Sequence, residues 1–260
     1  QGRLEYEQGN FDAAKAVWEP SALAGHAPSQ YRLGVIFALG KGGPIDAKAA
    51  FRWYQQAAEQ GYVLAQVSLA NYYASGFAQV KKDDEQAYRW YLRSAEQGNS
   101  DAQIWVGQFY ESGRYVSRNH EEKIKWYKRA AAQGNTFAYN NLGWAYQFGE
   151  GVTVDFSEAA RYYTLASEDR SHGEALNNLA RLYEKGLGVE QDYEKAWDLY
   201  SISVDLRNTE GMTRLASLYE RGLGIRQNYA KALELYELAS RKNELLAFAT
   251  DEHNRDEVAG

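Results

Sequence analysis

Residues Trp126–Val152 read WYKRAAAQGNTFAYNNLGWAYQFGEGV. An alanine-rich helical end is followed by Gly134, by a second helical segment and by a glycine-rich exit after Phe148. Glycine is disfavoured inside a helix and permits the left-handed backbone of a tight turn. The stretch therefore predicts two helices joined by a short turn, and most of the remaining sequence is a variation of it.

Two sets of residues recur along the chain in steps of 36 or 37. The first is the aromatic residue that closes the WY motif, which stands at Trp18, Tyr54, Tyr91, Tyr127, Tyr163, Tyr200 and Tyr236. The second is a leucine or valine followed by a small residue, an aromatic and a glycine, as in Leu142-Gly143-Tyr146-Gly149. A fixed period of this length predicts stacked helix pairs, each of which buries its apolar face against its neighbours.

Each repeat is predicted to contain a helix A and a helix B. The A helices are expected near residues 27–39, 64–75, 101–112, 137–148, 174–185 and 210–221. The B helices are expected near residues 47–59, 84–96, 120–132, 156–168, 193–206 and 229–241. The predicted repeat array covers residues 1–242, with a partial first unit at 1–24 and six helix pairs at 27–242; residues 243–260 are expected to form a C-terminal cap and an acidic tail.

The predicted B helices have marked beginnings and ends. Their starts carry side chains that can accept hydrogen bonds from a first helical turn, namely Asn10, Asp46, Asp83, Asn119, Asp155, Asp192 and Asn228. Their ends are followed by a glycine column that changes to Arg170, Arg207 and Asn243. We therefore expect the turns between later units to differ. Lys123 interrupts an alanine column of helix B, and the loop Phe77–Val80 departs from the usual G-x-G-V pattern.

The composition excludes several classes of protein. The net charge is −6 and no basic run is present, which disfavours nucleic acid as a partner. Cysteine is absent, which excludes disulfides and thiolate metal sites. The apolar runs, such as Val35–Leu39, are too short for membrane insertion. No signal peptide is visible, but the chain opens part-way through a repeat, so we expect an N-terminal segment with a targeting signal to have been removed.

The residues show no catalytic set in register, and we predict no cofactor and no metal. The four histidines are far apart in the repeat, at His26, His120, His172 and His253. The trio His120-Glu121-Glu122 is more typical of a solvated helix start than of a metal site. The stretch Gly40–Gly43 lacks the ending of a phosphate loop. The acidic residues near the C-terminus favour a tail over a calcium site; they are Asp251, Glu252, Asp256 and Glu257.

The repeated patterns L-G-x-x-Y-x-x-G-x-G-V and D-x-x-x-A-x-x-W-Y-x-x-A-A-x-Q-G resemble those of the Sel-1-like repeat family, within the tetratricopeptide superfamily. The resemblance covers about residues 10–242. It implies an all-α fold, a right-handed α-solenoid (superhelix) of antiparallel helix pairs whose A helices line the concave surface. It also implies a non-enzymatic adaptor, often bacterial and exported, that serves in envelope regulation, host interaction, polysaccharide export or toxin binding.

Given that architecture, residues one before and two after the leucine column are expected to face the concave surface, because helical geometry turns them away from the A/B contact. The central members of these positions are Trp105, Gln108, Asn141, Trp144, Asn178, Arg181 and Arg214. Tryptophan is a common interface anchor, asparagine can pair with a peptide backbone, and arginine can hold a carboxylate. These seven residues are the predicted partner-binding site; the alternative is an ordinary polar surface on which the two tryptophans pack against neighbours.

The sequence leaves several functions open. The first is a scaffold that binds a partner protein or peptide, as an exported bacterial adaptor or periplasmic regulator. The second is a periplasmic immunity protein that neutralises a toxic secreted effector. The third is a carbohydrate-binding or polysaccharide-export accessory protein, since exposed tryptophan and asparagine also suit sugars. An enzyme would need titratable groups that converge in one pocket, and the sequence offers none in register.

Overall fold

The computed structural model of the chain describes residues 1–77, 80–168 and 170–258, with side chains described up to residue 243. Within these residues the regular structure is all-α, with fourteen helices. The helices are α1 Gly2–Glu7, α2 Phe11–Leu23, α3 Ala27–Leu39, α4 Ala47–Glu59, α5 Val63–Ser75, α6 Asp84–Glu96, α7 Ser100–Ser112, α8 His120–Ala131, α9 Thr136–Phe148, α10 Phe156–Ser167, α11 Gly173–Lys185, α12 Tyr193–Asp205, α13 Thr209–Arg221 and α14 Tyr229–Val258. Odd-numbered helices are the predicted A helices and even-numbered helices the predicted B helices.

The helix bounds from α3 to α13 lie within one residue of the predicted ones. The exception is α14, which was expected to end near residue 241 and runs to Val258. The sequence from Lys242 to Val258 contains neither glycine nor proline, so it lacks the residues that end the earlier helices. The division at residue 242 stays a prediction. Ala78 and Gln79, part of the atypical loop, lie outside the described residues.

The chain divides into two compact units, unit 1 at Gln1–Gln133 and unit 2 at Gly134–Gly260. Within each unit every A helix packs against the B helix that follows it. The alanine column of helix B is fully buried in these contacts, for example at Ala50, Ala87, Ala159 and Ala196. Small side chains on the facing stripes let antiparallel helices approach closely. The core of each unit is thus built from alanine and glycine stripes with aromatic rings between them.

The predicted helix caps are confirmed at six of the seven positions. The carboxylates of Asp46, Asp83, Asp155 and Asp192 accept backbone hydrogen bonds from the first turn, and the amides of Asn119 and Asn228 do the same. Asn10 is the exception, because its side chain donates to the carboxylate of Glu5 instead, at 3.0 Å. Each such cap stabilises its helix by about 1 kcal/mol.

The turn column that changes from glycine to arginine keeps its backbone conformation. Arg170 and Arg207 have φ values of 55° and 58°, in the left-handed region that glycine occupies at Gly134, where φ is 80°. The expectation that these turns would differ was therefore wrong for the backbone at these two positions. Asn243 does differ, because it lies inside α14. A non-glycine residue in this conformation costs about 1–2 kcal/mol, which the surrounding helices must offset.

The tyrosine column of the B helices is buried, and this predicts a dependence of stability on alkaline pH. Burial raises the pKa of Tyr163 and Tyr200 well above the ordinary value of 10. Below pH 10 both states hold the phenol proton, and the stabilisation is fully present. Above pH 10 the unfolded chain loses the proton while the folded chain keeps it, so the free energy of unfolding falls by about 1.4 kcal/mol per pH unit for each such tyrosine.

Urea unfolding followed by circular dichroism at pH 9 and pH 11 measures this effect. Tyr163→Phe is the matched variant, since it removes one titrating hydroxyl, which donates to Gln147 at 2.9 Å. We expect the variant to be less stable at pH 9 but to lose less stability than the native chain between the two pH values. Equal losses in the two proteins would contradict the assignment of the effect to Tyr163.

Candidate functional site

The part of the predicted site that lies in unit 1 consists of Trp105 and Gln108 on α7. Trp105 is 40% exposed, and its indole stacks on the ring of Tyr91 from α6, with centroids 5.4 Å apart and an interplanar angle of 16°. Gln108 is half-buried one turn later, and both residues line a hollow of about 230 Å³. The structure thus places these two side chains together on α7, and that they bind a partner stays a prediction.

A buried cation lies behind this hollow. Lys123, which interrupts the alanine column, is 1% exposed, and its ammonium group lies 3.1 Å from the carboxylate of Glu111. The hydroxyl of Tyr127 donates to the other oxygen of the same carboxylate at 3.4 Å. Glu111 also lines the hollow beside Trp105. The sequence marks Lys123 only as a departure from the pattern; in the structure its long side chain holds an acidic group of the candidate surface in place.

The other five predicted residues lie in unit 2, and on α9 the structure adds an aromatic neighbour to them. Trp144 is 38% exposed and packs on Phe148, with ring centroids 4.2 Å apart; Phe148 is itself 48% exposed. Asn141 is half-buried one turn before Trp144. Positions three, four and seven residues apart share one face of a helix, so these side chains form a continuous strip. Phe148 was missed by the sequence analysis because it lies outside the two groove positions.

Asn178 on α11 is not exposed, and the expectation that it faces solvent was wrong. Its side chain is 3% exposed, and its amide donates to Asn140 of α9 at 3.2 Å. Its carbonyl oxygen accepts a hydrogen bond from the guanidinium of Arg181 at 3.2 Å. Asn178 therefore connects two A helices and positions Arg181, and any part it takes in binding a partner stays a prediction.

Arg181 is held by neighbouring side chains of unit 2. Its side chain is 17% exposed, and besides Asn178 it donates to the buried amide of Gln147 at 3.5 Å. Gln147 is in turn held by the hydroxyl of Tyr163. Both acceptors contact the same guanidinium nitrogen, and together with the burial of the side chain they restrict the rotamer of Arg181 before any partner binds.

The remaining predicted residue, Arg214 on α13, lies beside an acidic group that it shares with Arg181. The same carboxylate oxygen of Glu210 is 3.6 Å from Arg214 and 3.9 Å from Arg181. The Glu210 side chain is 47% exposed and that of Arg214 is 40% exposed. Arg214 and Glu210 are both exposed, and an ion pair of this length between exposed groups contributes about 0–1 kcal/mol. Arg181 is less exposed, but its distance of 3.9 Å from Glu210 is longer still. The two arginines are therefore available to a stronger anionic group.

Comparison with known proteins identifies the repeat. A family model of the Sel1 repeat matches six consecutive segments, at residues 27–62, 63–99, 100–135, 136–170, 173–208 and 209–244. The chain belongs to the Sel1 repeat family. The first repeat begins at α3 and each later one begins within one residue of an A helix, so one Sel1 repeat corresponds to one A/B pair.

Solved structures support the same fold. A Sel1 repeat protein from Oxalobacter formigenes is 31% identical, with a TM-score of 0.84 over 92% of this chain and 94% of that one. A protective antigen of uropathogenic Escherichia coli strains is 32% identical, with a TM-score of 0.81 over 88% of this chain. This chain spans 48% of the length of the antigen. An immunity protein from Pseudomonas aeruginosa is 21% identical, with a TM-score of 0.52 over 83% of this chain and 81% of that one.

A search of curated protein sequences finds no match. The fold class is thus the all-α solenoid of Sel1 repeats, a family of non-enzymatic scaffolds. That this Sel1 repeat protein is itself not an enzyme stays a prediction.

Sel1 repeats of this chain share one further column of polar residues that the sequence analysis missed. In four repeats the hydroxyl of the B-helix tyrosine donates to an acid or amide on the preceding A helix; the acceptors are Glu111, Gln147, Glu184 and Glu220. These acceptors stand five residues after the leucine column, in steps of 36 or 37. The regular spacing of these acceptors is visible in the sequence. It would have indicated which polar residues of helix A accept hydrogen bonds from helix B.

The described part of the chain offers no group of histidine and acidic residues that could hold a metal ion. At the start of α8, Glu122 pairs with Lys125 at 2.6 Å. The acidic residues from Asp251 onward have no described side chains. Nor does any helix among the described residues have the length and apolar character needed to span a bilayer.

Proposed function

We propose that this Sel1 repeat protein is a scaffold that binds an extended segment of a partner protein on the A-helix face of unit 2, and that Arg181 and Arg214 hold an acidic group of that segment. The observation that carries the proposal is the fixed guanidinium of Arg181, whose hydrogen bonds to Asn178 and Gln147 orient it while its contact with Glu210 is 3.9 Å long. A side chain ordered in advance loses little entropy on binding.

The side chains on the A-helix face of unit 2 can each contact a different part of an extended peptide. Two guanidinium groups can form parallel hydrogen bonds with a carboxylate, which places the partner's acidic side chain between α11 and α13. The exposed strip of Trp144 and Phe148 supplies a large apolar contact for a neighbouring side chain. Asn141 offers both a donor and an acceptor for the backbone of an extended peptide.

Several finer assignments belong to this proposal. An exported bacterial adaptor or regulator that acts in the periplasm fits the family implication. Trp105 and Gln108 are proposed as a separate partner-binding contact on unit 1. Neutralisation of a secreted toxin is the alternative of the same class, and a carbohydrate ligand is the alternative that would use the tryptophans. The experiment below separates these alternatives. The identity of the captured partner distinguishes a toxin from another target, and binding of a neutral sugar does not depend on the charge of Arg181.

The partner is first captured from the source organism and identified by mass spectrometry, and its affinity is then measured by titration calorimetry. We expect Arg181→Gln to weaken binding about 10–100-fold, since it removes the charge from the centre of the contact. Arg161→Gln is the matched control, because Arg161 is exposed on α10 and pairs with its own neighbour Glu158 at 2.9 Å. Equal affinities of the Arg181 variant and the native chain would overturn the proposal.

Glu210→Gln is predicted to have the opposite effect. Glu210 is the acidic neighbour that a bound carboxylate must displace from Arg181 and Arg214. Without that competing charge, affinity for an acidic partner is expected to rise about 3–10-fold, with most of the change in the dissociation rate. Weaker binding by this variant would show that Glu210 itself contacts a basic group of the partner, contrary to the proposal.

A further inference from the structure

A separate hollow lies at the first helices of unit 1, far along the sequence from the predicted site. It has a volume of about 420 Å³ and is lined by side chains of α1, α2, α3 and the start of α5. Its lining includes Tyr6, Trp18, Tyr31, Arg32, Tyr62 and Leu64. Four of its nine lining residues are aromatic, and the others include the exposed ion pair of Arg3 and Glu7. The space is sufficient for one large side chain.

The aromatic rings around this hollow pack against one another in pairs. Tyr6 and Trp18 have centroids 5.9 Å apart, and Tyr31 and Tyr62 have centroids 5.2 Å apart. Trp18 is only 6% exposed and forms the floor. Gly2 allows α1 to lie against this floor, because a Cβ at that position would be 2.4 Å from the indole nitrogen of Trp18. The hollow is therefore a packed feature of the fold and does not need a ligand to form.

One cation is held at the edge of this aromatic floor. The guanidinium of Arg32 lies over the ring of Trp18, 5.4 Å from its centroid. In the described part of the chain no carboxylate pairs with Arg32, whereas the other lining arginine, Arg3, pairs with Glu7 at 2.7 Å. Arg32 also stands one residue before Leu33, in the same column as Trp105 and Arg214. A partly desolvated cation without a counter-ion favours an anionic ligand group.

We infer that this hollow binds a segment of a partner polypeptide that presents an aromatic side chain next to an aspartate or glutamate. The aromatic side chain fills the space among the tyrosine rings, where edge and face contacts are favourable. The neighbouring carboxylate accepts hydrogen bonds from Arg32. This site lies in unit 1 and uses none of the unit 2 residues of the proposed function, so each can fail independently.

The probe that tests this inference is a blocked hexapeptide, acetyl-Gly-Ser-Glu-Phe-Gly-Ser-amide, whose only charge is the glutamate side chain. Binding is followed through the indole NMR signal of Trp18. We expect a saturable shift with a dissociation constant on the order of 0.1–1 mM, as suits one anchored side chain. A second peptide with glutamine in place of glutamate is expected to bind at least about 5-fold more weakly.

Three variants of the full chain assign the contact. Arg32→Gln is expected to abolish the difference in affinity between the two peptides. That difference reports the interaction between Arg32 and the glutamate, and the variant lacks the charge of Arg32. Leu64 lies at the rim of the hollow and is 44% exposed. Leu64→Glu is expected to weaken binding of the acidic peptide, because the new carboxylate repels the glutamate of the peptide. Arg52→Gln is the matched control, since Arg52 is exposed on α4 and does not line the hollow.

Several results would overturn the inference. One is the absence of a saturable shift of the Trp18 signal, and another is an unchanged preference for glutamate in the Arg32→Gln variant. Loss of binding in Arg181→Gln would assign the peptide to unit 2 instead. Tighter binding of phenylpropionate than of the peptide would identify a small aromatic acid as the ligand and reject a polypeptide segment.

Discussion

Replacing Gly188 with alanine is expected to lower the free energy of unfolding by about 2–4 kcal/mol. Gly188 lies in the loop between α11 and α12 and has a φ of 69°. A Cβ there would be 2.2 Å from the backbone carbon of Phe156 and 2.4 Å from the backbone nitrogen of Ser157, at the start of α10. Since backbone atoms cannot rotate away as a side chain can, one of the two segments must move.

The control for this prediction is Gly134→Ala. Gly134 also has a positive φ, of 80°, but a Cβ there would meet no atom within 4 Å. The control therefore loses only the free energy that a non-glycine residue costs in the left-handed conformation. The difference in stability between the two variants measures the cost of the contact between residue 188 and the backbone of α10. Thermal unfolding followed by circular dichroism measures both. Equal midpoints for the two variants would show that the loop relaxes without cost.

The substitution Gly143→Leu is expected to be similarly severe, with a loss of about 3 kcal/mol or more and a partial loss of helix content. Gly143 is on the stripe of α9 that faces α10, and a Cβ there would be 2.6 Å from two ring atoms of Tyr163. Tyr163 is fully buried and its hydroxyl is held by Gln147. The ring has no free space to move into, so a leucine must separate the two helices.

Gly43→Leu makes the same change of side chain where space is open. A Cβ at Gly43 would meet no atom within 4 Å, and its φ is not in the left-handed region. We expect the free energy of unfolding of this control to differ from that of the native chain by no more than about 0.5 kcal/mol. The measurement is the urea midpoint of each variant, with the circular dichroism of the native state recorded before unfolding. A native-like midpoint for Gly143→Leu would mean that the α9/α10 contact is not close-packed.

The bounds of the helices could be predicted because their signals are local. Asp46 and Asn119 cap helix starts with their own side chains, and Gly61 and Gly134 end helices with a backbone conformation that few other residues adopt. Each local signal then recurs in successive repeats, so it can be distinguished from a chance occurrence. At α14 these signals stop, and there the predicted end of the helix was wrong.

The candidate site was predictable only in part. Trp105 and Trp144 are exposed as their helix positions indicated, but Asn178 occupies an equivalent position and is buried. The difference arises because Asn178 meets Asn140, a residue 38 positions away, across a neighbouring repeat. The hollow around Trp18 likewise depends on α1, α2, α3 and α5 packing together, and no periodic pattern in the sequence distinguishes Arg32 from the other residues of its column.

By itself the sequence determined that this protein is an array of capped helix pairs with alanine, glycine and tyrosine stripes, because each of those features depends on residues within one or two turns of each other. Only the tertiary structure decided which polar side chains are buried in hydrogen bonds, which arginine is oriented and which aromatic residues surround a hollow. Those properties depend on distances of a few ångströms between helices, and these distances are set by the packing of side chains that the repeat pattern does not place.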